Sequence, residues 1–293
     1  MFDTQAIIDI LVLPVAAAIV IGGILFLMTR GRDERAWPNR LGGLVIFATY
    51  AVGQFARFQQ PNWSNPQSVD AWRWILPCAL AATLVLMLDA WLNRAWIRWT
   101  LRPLLIAALA ATTLQPFIRH TWDPNETATW MIGITIVGTI WWALVEAAGT
   151  KIRGNWFAGH WLLVTFGGGA ILVLSGSQTY LELMIMLGAG VGVCMILQML
   201  GKRALAAGLF SVAPLIVVGV FLNGRFFLDM AWWRVITPIA APLACLVPGI
   251  LLKSDARPLI SGMLRTAAVG LALAGAVVPA IMAYDQNPYS GGY

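Results

Sequence analysis

Two segments of this sequence place arginine directly after tryptophan in the same pattern, W-R-x-I-x-P. The first is residues 72–77 and the second is residues 233–238, which begins 161 residues later. An Arg-Phe pair precedes each segment, at Arg57 and at Arg225. Guanidinium groups bind carboxylate or phosphate through paired hydrogen bonds. The repeated pattern therefore predicts a recognition site for an anionic group.

We name residues 57–77 the first corner and residues 225–238 the second corner. The candidate ligand-binding residues are the four corner arginines and the tryptophans of the repeated pattern: Arg57, Arg73, Arg225, Arg234, Trp72 and Trp233. An alternative remains open, because arginine at the end of a membrane helix commonly extends to the surface. In that interpretation the arginines pair with the aspartates of their own corners, Asp70 and Asp229.

Three further polar residues lie inside apolar stretches: Asp89, Glu146 and Gln198. Each follows an aromatic residue near the start of its stretch by 16 to 18 positions, so we expect the three at similar depth. Carboxylates within a membrane are costly unless paired, which makes them candidates for proton or cation coupling. The alternative is simple pairing with a nearby basic residue, Arg94 for Asp89 and Lys151 for Glu146.

The composition indicates an all-α polytopic integral membrane protein. Apolar residues make up 59% of the 293 positions, and charged residues make up 11%. A soluble domain carries about 25% charged residues. The mean hydropathy is +0.76, and apolar runs near 20 residues recur along the whole chain. Such runs suit helices that cross about 30 Å of hydrocarbon. The lipid bilayer is thus the first expected partner.

The apolar runs predict about ten transmembrane helices within a single domain, residues 1–293. Their approximate ranges are 7–29, 41–57, 72–93, 100–118, 130–149, 157–176, 180–200, 204–223, 231–252 and 259–283. The ninth span contains Pro238, Pro242 and Pro248, so we expect a bent helix there. Glycines at 167–169, 188 and 192 predict close helix packing.

The basic residues predict the orientation. Fourteen of the 19 Lys and Arg residues fall on one set of alternating loops, and five fall on the other. The more basic side of a membrane protein is cytoplasmic. Both termini are therefore expected outside, on the periplasmic face of a bacterial inner membrane. The net charge of +6 reflects this orientation and does not indicate a nucleic-acid partner.

The corners also suggest an internal repeat, with the second and third spans echoing the eighth and ninth. The repeated halves would be residues 1–118 and 180–284, joined by the spans at 130–176. Both corners run in the same direction, so the repeat would be parallel. Parallel repeats of this kind occur in transporters.

The sequence gives little support for a disulfide, a metal site or catalysis. Cys78, Cys194 and Cys245 lie singly in apolar runs and indicate neither a disulfide nor a metal site. No cofactor motif is present, and an enzyme is the less favoured class. Asp9 and Glu182 stand at helix starts, where a carboxylate suits the positive end of the helix, and we assign them no chemistry.

The favoured function is a small secondary transporter, a permease-like carrier for an anionic or amphiphilic solute. The corner arginines would form its outer recognition site. The alternative is a non-catalytic membrane-embedded subunit or scaffold, with the corners binding a lipid head group or other membrane subunits. Function inferred from architecture is an argument by analogy, so the site geometry has to choose between them.

Overall fold

The computed structural model describes residues 3–29, 42–58, 61, 69–92, 95–152, 156–201, 212–251 and 258–286. These residues are almost entirely helical, and they contain no strand. We number their helices α1 to α11 in chain order. The first six are α1 (Thr4–Ile7 and Leu13–Thr29, joined by a π-helical turn, Ile8–Val12), α2 (Gly42–Arg57), α3 (a 3-10 turn, Ala71–Trp74, then Ile75–Leu92), α4 (Ala95–Thr113), α5 (Gln115–His120) and α6 (Pro124–Lys151). The others are α7 (Trp156–Leu174), α8 (Gln178–Gly201), α9 (Val212–Phe227), α10 (Trp232–Ala240, a 3-10 segment Ala241–Cys245, and Leu246–Leu251) and α11 (Pro258–Gln286).

Each predicted span overlaps one of these helices, with α5 as a short addition. Six of the described helices are long and apolar enough to cross a membrane, and α9 and α10 are shorter apolar helices. The chain is thus compatible with a multi-pass helical membrane protein, and ten crossings remains a prediction. The fourth span was misplaced: α4 begins at Ala95 and ends at Thr113, where the chain turns into the separate helix α5.

One helix, α9, lies at the centre of the bundle. Eight helices form a ring around it, and each packs against the next. Their order around the ring is α2, α3, α4, α6, α10, α11, α7 and α8, and α8 packs against α2. The helix α1 packs outside this ring against α2 and α8. Every residue from Val212 to Gly224 in α9 is buried. This stretch of α9 is therefore enclosed by the other helices.

The predicted repeat places α2 and α9 in corresponding positions, yet their surroundings differ. In α2, Phe55 is 54% exposed, whereas the whole middle of α9 is enclosed by other helices. The two predicted halves therefore share a local pattern without occupying equivalent places in the bundle. The repeat stays a prediction from the sequence.

Contacts between helix ends show that α2 and α8 run in opposite directions. We name the end where α2 and α9 finish the corner end, and the opposite end the basic end. At the corner end, Arg57 in α2 bonds to Glu182 in α8. At the basic end, the thiol of Cys194 in α8 donates to the carbonyl of Gly42 in α2. The end of α2 thus meets the start of α8, and the start of α2 meets the last third of α8.

Glycines allow the ring helices to approach one another and α9 closely, as predicted for residues 167–169 and 188. A Cβ atom at Gly168 in α7 would lie 3.1 Å from Phe221 of α9. At Gly219 in α9, a Cβ atom would lie 2.9 Å from Ile75 and 3.2 Å from Leu109. The close packing of α9 against α3 and α4 depends on the missing side chain.

Replacing Gly219 with Val is expected to lower the free energy of unfolding by about 1–3 kcal/mol, the usual cost of overpacking a core. SDS titration of the protein in mixed micelles measures this change. The matched control is Gly133→Val in α6, since a Cβ atom there would meet nothing within 4 Å. Equal stability of the two variants would contradict the central position of α9.

Candidate functional site

The two corners share a backbone geometry where their second helices begin. Asp70 before α3 has φ −53° and ψ 140°, and Ala231 before α10 has φ −58° and ψ 141°. The N–H of Arg73 donates to the carbonyl of Asp70 at 3.0 Å, and the N–H of Arg234 donates to that of Ala231 at 2.9 Å. The same sequence pattern thus builds the same turn twice. The first then continues as a 3-10 turn and the second directly as an α-helix.

Each second corner arginine lies over the tryptophan that precedes it. The guanidinium of Arg73 is 4.7 Å from the ring centre of Trp72, and that of Arg234 is 5.0 Å from Trp233. Such cation–π contacts fix the plane of the guanidinium and leave its edge able to donate hydrogen bonds. The candidate residues Trp72 and Trp233 therefore orient their arginines.

The alternative pairing with corner aspartates is observed for two arginines. Arg73 Nε lies 2.9 Å from Asp70 Oδ2, and Arg225 Nη1 pairs with Asp229 Oδ1. Both carboxylates are largely exposed, so each ion pair contributes little stability. Asp229 has φ +48°, in the left-handed region that Asp tolerates better than most residues.

Arg234 has no carboxylate partner among the described residues, and its Nε is buried without a hydrogen-bond partner. The Nε of Arg225 is buried and unpartnered as well, although its Nη1 bonds to Asp229. Buried polar groups are nearly always hydrogen-bonded in folded proteins. The second corner thus retains unused guanidinium donors.

An aromatic cluster lies beside the second corner. It contains six rings from α5, the loop after it, α6, α9 and α10: Phe117, Trp122, Trp130, Phe226, Phe227 and Trp232. Trp130 stacks on Trp232 at 5.6 Å, and the guanidinium of Arg225 lies 4.9 Å from the centre of Trp232. Trp232 and Phe227 are 41% and 40% exposed, so part of this aromatic surface is open. These rings come from five separate parts of the chain, so no local sequence pattern predicted that they join.

The structure gives Arg57 a partner that the sequence analysis missed. Its Nε and Nη2 donate to the two carboxylate oxygens of Glu182 at 2.9 and 3.1 Å. Glu182, at the start of α8, is only 2% exposed, and Gln178 donates to the same carboxylate at 2.9 Å. The assignment of Glu182 to a simple helix-start role was therefore wrong. Its distance of 125 residues from Arg57 left no local signal.

Asp9 also differs from the simple helix-start carboxylate expected from the sequence. It lies in the π-helical turn of α1 and is buried, with 8% of its surface exposed. The amide nitrogen of Gln5 donates to its Oδ1 at 2.8 Å. The residue that caps the N-terminus of α1 is instead Asp3, whose carboxylate accepts from the backbone of Ala6.

The coupling candidates occupy separate places. Glu146 of α6 pairs with Arg102 of α4, with 2.6 Å between Nη2 and Oε2. The side chain of Lys151, the partner that the alternative interpretation proposed, lies outside the described residues. Gln198 is buried in α8, which does not form a packing interface with α6. The side chain of Asp89, and Arg94, lie outside the described residues.

The helix α10 is broken, as its three prolines predict. A 3-10 segment, Ala241–Cys245, interrupts it after Ala240. The indole N–H of Trp141 in α6 donates to the carbonyl of Ile239 at 2.8 Å, just before the break. The thiol of Cys245 donates to Pro242 at 2.7 Å. Side chains thus satisfy carbonyls that the irregular helix leaves free.

A buried polar contact lies near this break, between α7 and α11. His160 is fully buried, and its Nε2 lies 3.2 Å from the hydroxyl of Thr266. Arg265 in α11, also buried, donates to Ser261. These residues belong to none of the candidate sites predicted from the sequence.

The described residues contain no group of three or more His, Cys, Asp or Glu side chains suited to a metal ion. The three cysteines are free and buried. No protein-family model matches the chain, and comparison with curated proteins and with solved structures finds no match either.

Proposed function

We propose that the chain is a small secondary carrier that recognises an anionic amphiphilic solute at its second corner. The observation that carries this proposal is the pair of arginines with unused donors, Arg225 and Arg234, each held over an exposed tryptophan. Guanidinium donors in a partly dehydrated place suit a carboxylate or phosphate group.

The neighbouring rings extend this surface for an apolar group. Trp232 and Trp233 are 41% and 40% exposed, and the aromatic cluster continues from Trp232 toward α6. Rings with an apolar face beside a charged group are suited to a ligand that has an anionic head and an apolar tail. This combination favours an amphiphile over a small inorganic anion.

The helix that leaves this corner supports transport rather than binding alone. Arg234 lies in the first turn of α10, and the same helix breaks at Ala241–Cys245. Interrupted helices near a binding site are common in secondary transporters, where they permit the two sides of the site to move. The break would let the outer part of α10 move independently of the inner part.

A thermal-shift experiment tests recognition. Decyl phosphate is expected to raise the unfolding temperature of the purified protein in an uncharged detergent. The double variant Arg225→Ala/Arg234→Ala is expected to lower the apparent affinity at least about tenfold, because each charge-assisted hydrogen bond contributes about 1.5–3 kcal/mol. The control is Arg119→Ala, an exposed arginine at the same end.

Two further ligands define the outcome. Inorganic phosphate tests the charge alone, and decyl maltoside tests the apolar tail alone. An equal response of the wild-type protein and the double variant to decyl phosphate would overturn recognition at the second corner. Uptake of the solute by proteoliposomes then tests transport. Binding without uptake would support recognition at the second corner but contradict the proposed carrier function.

One observation favours the alternative, a subunit or scaffold of a larger membrane complex. The fully buried helix α9 fills the centre of the bundle, where many carriers place their pathway. Purification at native expression in mild detergent, with the mass of the particle determined, decides this point. A defined assembly with stoichiometric partners supports the subunit, and a monomer or dimer supports the carrier.

A further inference from the structure

The loop between α9 and α10 holds the aspartate of the second corner, Asp229, in an unusual backbone conformation. Its φ of +48° is the one positive value for a residue other than glycine among the residues that the structure describes. Helices commonly end with a residue in this left-handed conformation, and that residue is usually glycine, which has no Cβ atom to make it unfavourable. A carboxylate is what aspartate provides at this place and glycine does not.

The carboxylate of Asp229 bonds to Arg225 on the exposed side of the corner. Its Oδ1 accepts a hydrogen bond from Nη1 of Arg225, four residues earlier at the end of α9. The side chain of Asp229 is 95% exposed, whereas that of Arg225 is 24% exposed. The carboxylate therefore lies on the outer side of the guanidinium. An anion that approaches Arg225 from outside the bundle meets Asp229 there.

The surroundings of Arg225 restrict how a ligand can bind to it. Its guanidinium lies 4.9 Å from the ring centre of Trp232 and 6.0 Å from that of Phe226. A guanidinium is planar and donates hydrogen bonds only from its edges. The side-on edge contains the buried Nε, and the end-on edge contains the Nη1 that bonds to Asp229. A carboxylate or phosphate that binds both nitrogens of the end-on edge must therefore displace Asp229.

Asp229 and an anionic ligand offer Arg225 the same kind of acceptor. A carboxylate on a neighbouring turn of the same chain acts at a high effective concentration, so it occupies the arginine when no ligand is bound. The ion pair is nevertheless exposed, and exposed ion pairs are weak. Asp229 can thus compete with a ligand for Arg225 and still leave when the ligand binds.

The corresponding arginine of the first corner has a different kind of partner. Arg57 donates through Nε and Nη2 to both carboxylate oxygens of Glu182 in α8. The side chain of Glu182 is only 2% exposed, so a ligand from outside the bundle cannot readily replace it. The two Arg-Phe arginines thus pair with a buried, distant carboxylate in one corner and with an exposed, local carboxylate in the other. The exposed carboxylate, at the second corner, is the one suited to exchange with a ligand.

We propose that Asp229 is a displaceable internal ligand of Arg225. In the unliganded protein its carboxylate occupies the end-on edge of the guanidinium, and the anionic head of the bound amphiphile takes its place. Asp229 thereby lowers the affinity of the second corner for its ligand. The inference rests on the proposed recognition of an anionic amphiphile at this corner.

The test is the binding of decyl phosphate to the purified full chain, measured by thermal shift in an uncharged detergent. Asp229→Asn is expected to raise the apparent affinity about twofold to fivefold, the factor that matches the strength of an exposed ion pair. In the Arg225→Ala background the same substitution is expected to change nothing, because the competition acts through Arg225. If Asp229 only repelled the ligand at a distance, the affinity would rise in both backgrounds.

A second variant and a control make this result specific. Asp229→Gly also removes the carboxylate, and glycine suits the left-handed conformation, so this variant is expected to fold and to raise the affinity by the same factor. The control is Asp123→Asn, which removes an exposed carboxylate next to Trp122 of the aromatic cluster. It should leave the affinity unchanged.

The outcomes separate this inference from the proposed function. Unchanged affinity in both Asp229 variants overturns the inference, and so does an equal rise in the Arg225→Ala background. In either case, loss of affinity in Arg225→Ala/Arg234→Ala would still support recognition at the second corner. A wild-type protein that does not bind decyl phosphate, or an equal response of that double variant, overturns the proposed function and this inference together.

Discussion

Replacing Glu182 with Gln is expected to lower the free energy of unfolding by about 3 kcal/mol, the lower end of the cost of breaking a buried ion pair. The carboxylate is 2% exposed and holds Arg57 through two hydrogen bonds. The variant leaves the guanidinium without its charged partner where α2 packs against α8. We expect the lower end of this cost because the Arg57 side chain is 29% exposed and retains some hydration.

SDS titration in mixed micelles measures this loss of stability. Two further variants serve as comparisons. Asp229→Asn removes a carboxylate that is 95% exposed in its ion pair with Arg225, so its cost should stay below about 1 kcal/mol. The double variant Arg57→Met/Glu182→Leu removes both charges and should recover most of the stability. If Glu182→Gln and Asp229→Asn cost the same, the Arg57–Glu182 pair does not stabilise the bundle.

Replacing Phe221 with Ala is expected to cost about 3 kcal/mol, because the truncation leaves a cavity at the centre of the bundle. Phe221 is fully buried in α9, and its ring lies against Gly168 of α7. In a membrane the lipid solvates apolar side chains as well as protein does, so the lost packing contacts dominate this cost. The same micelle titration measures it.

The control for this variant is Phe166→Ala in α7, which removes an equal ring that is 61% exposed on the outside of the bundle. Its expected cost is below about 1 kcal/mol, since lipid or detergent fills the space. Equal costs at the two positions would show that α9 is not enclosed. That result would also remove the observation that favours a complex subunit over a carrier.

Local features of the structure were predicted well from the sequence. Each of the ten apolar runs overlaps a described helix, and the break in α10 lies in the proline-containing ninth span. The two W-R-x-I-x-P segments form turns of the same backbone geometry, with arginine over tryptophan in each. These features depend on residues within a few positions of one another. Hydropathy and backbone chemistry therefore determine them directly.

The candidate site was predicted only in part. In the second corner Arg225 and Arg234 lie beside tryptophan, whereas Arg57 of the first corner donates hydrogen bonds to Glu182 of α8. Glu146 pairs with Arg102, and no packing interface joins its helix to that of Gln198. Depth along a helix can be estimated from sequence, because each residue adds about 1.5 Å. Which side of the helix faces which neighbour cannot be estimated in the same way.

The sequence by itself determined that the chain forms apolar helices compatible with a multi-pass membrane protein, roughly where those helices lie, and that two turns share one geometry. The tertiary structure alone decided that α9 is central and that Glu182 accepts hydrogen bonds from Arg57. The physical reason is that spans apolar on every side carry no stripe that indicates a partner. Small residues and a few long-range ion pairs determine which helices pack against one another.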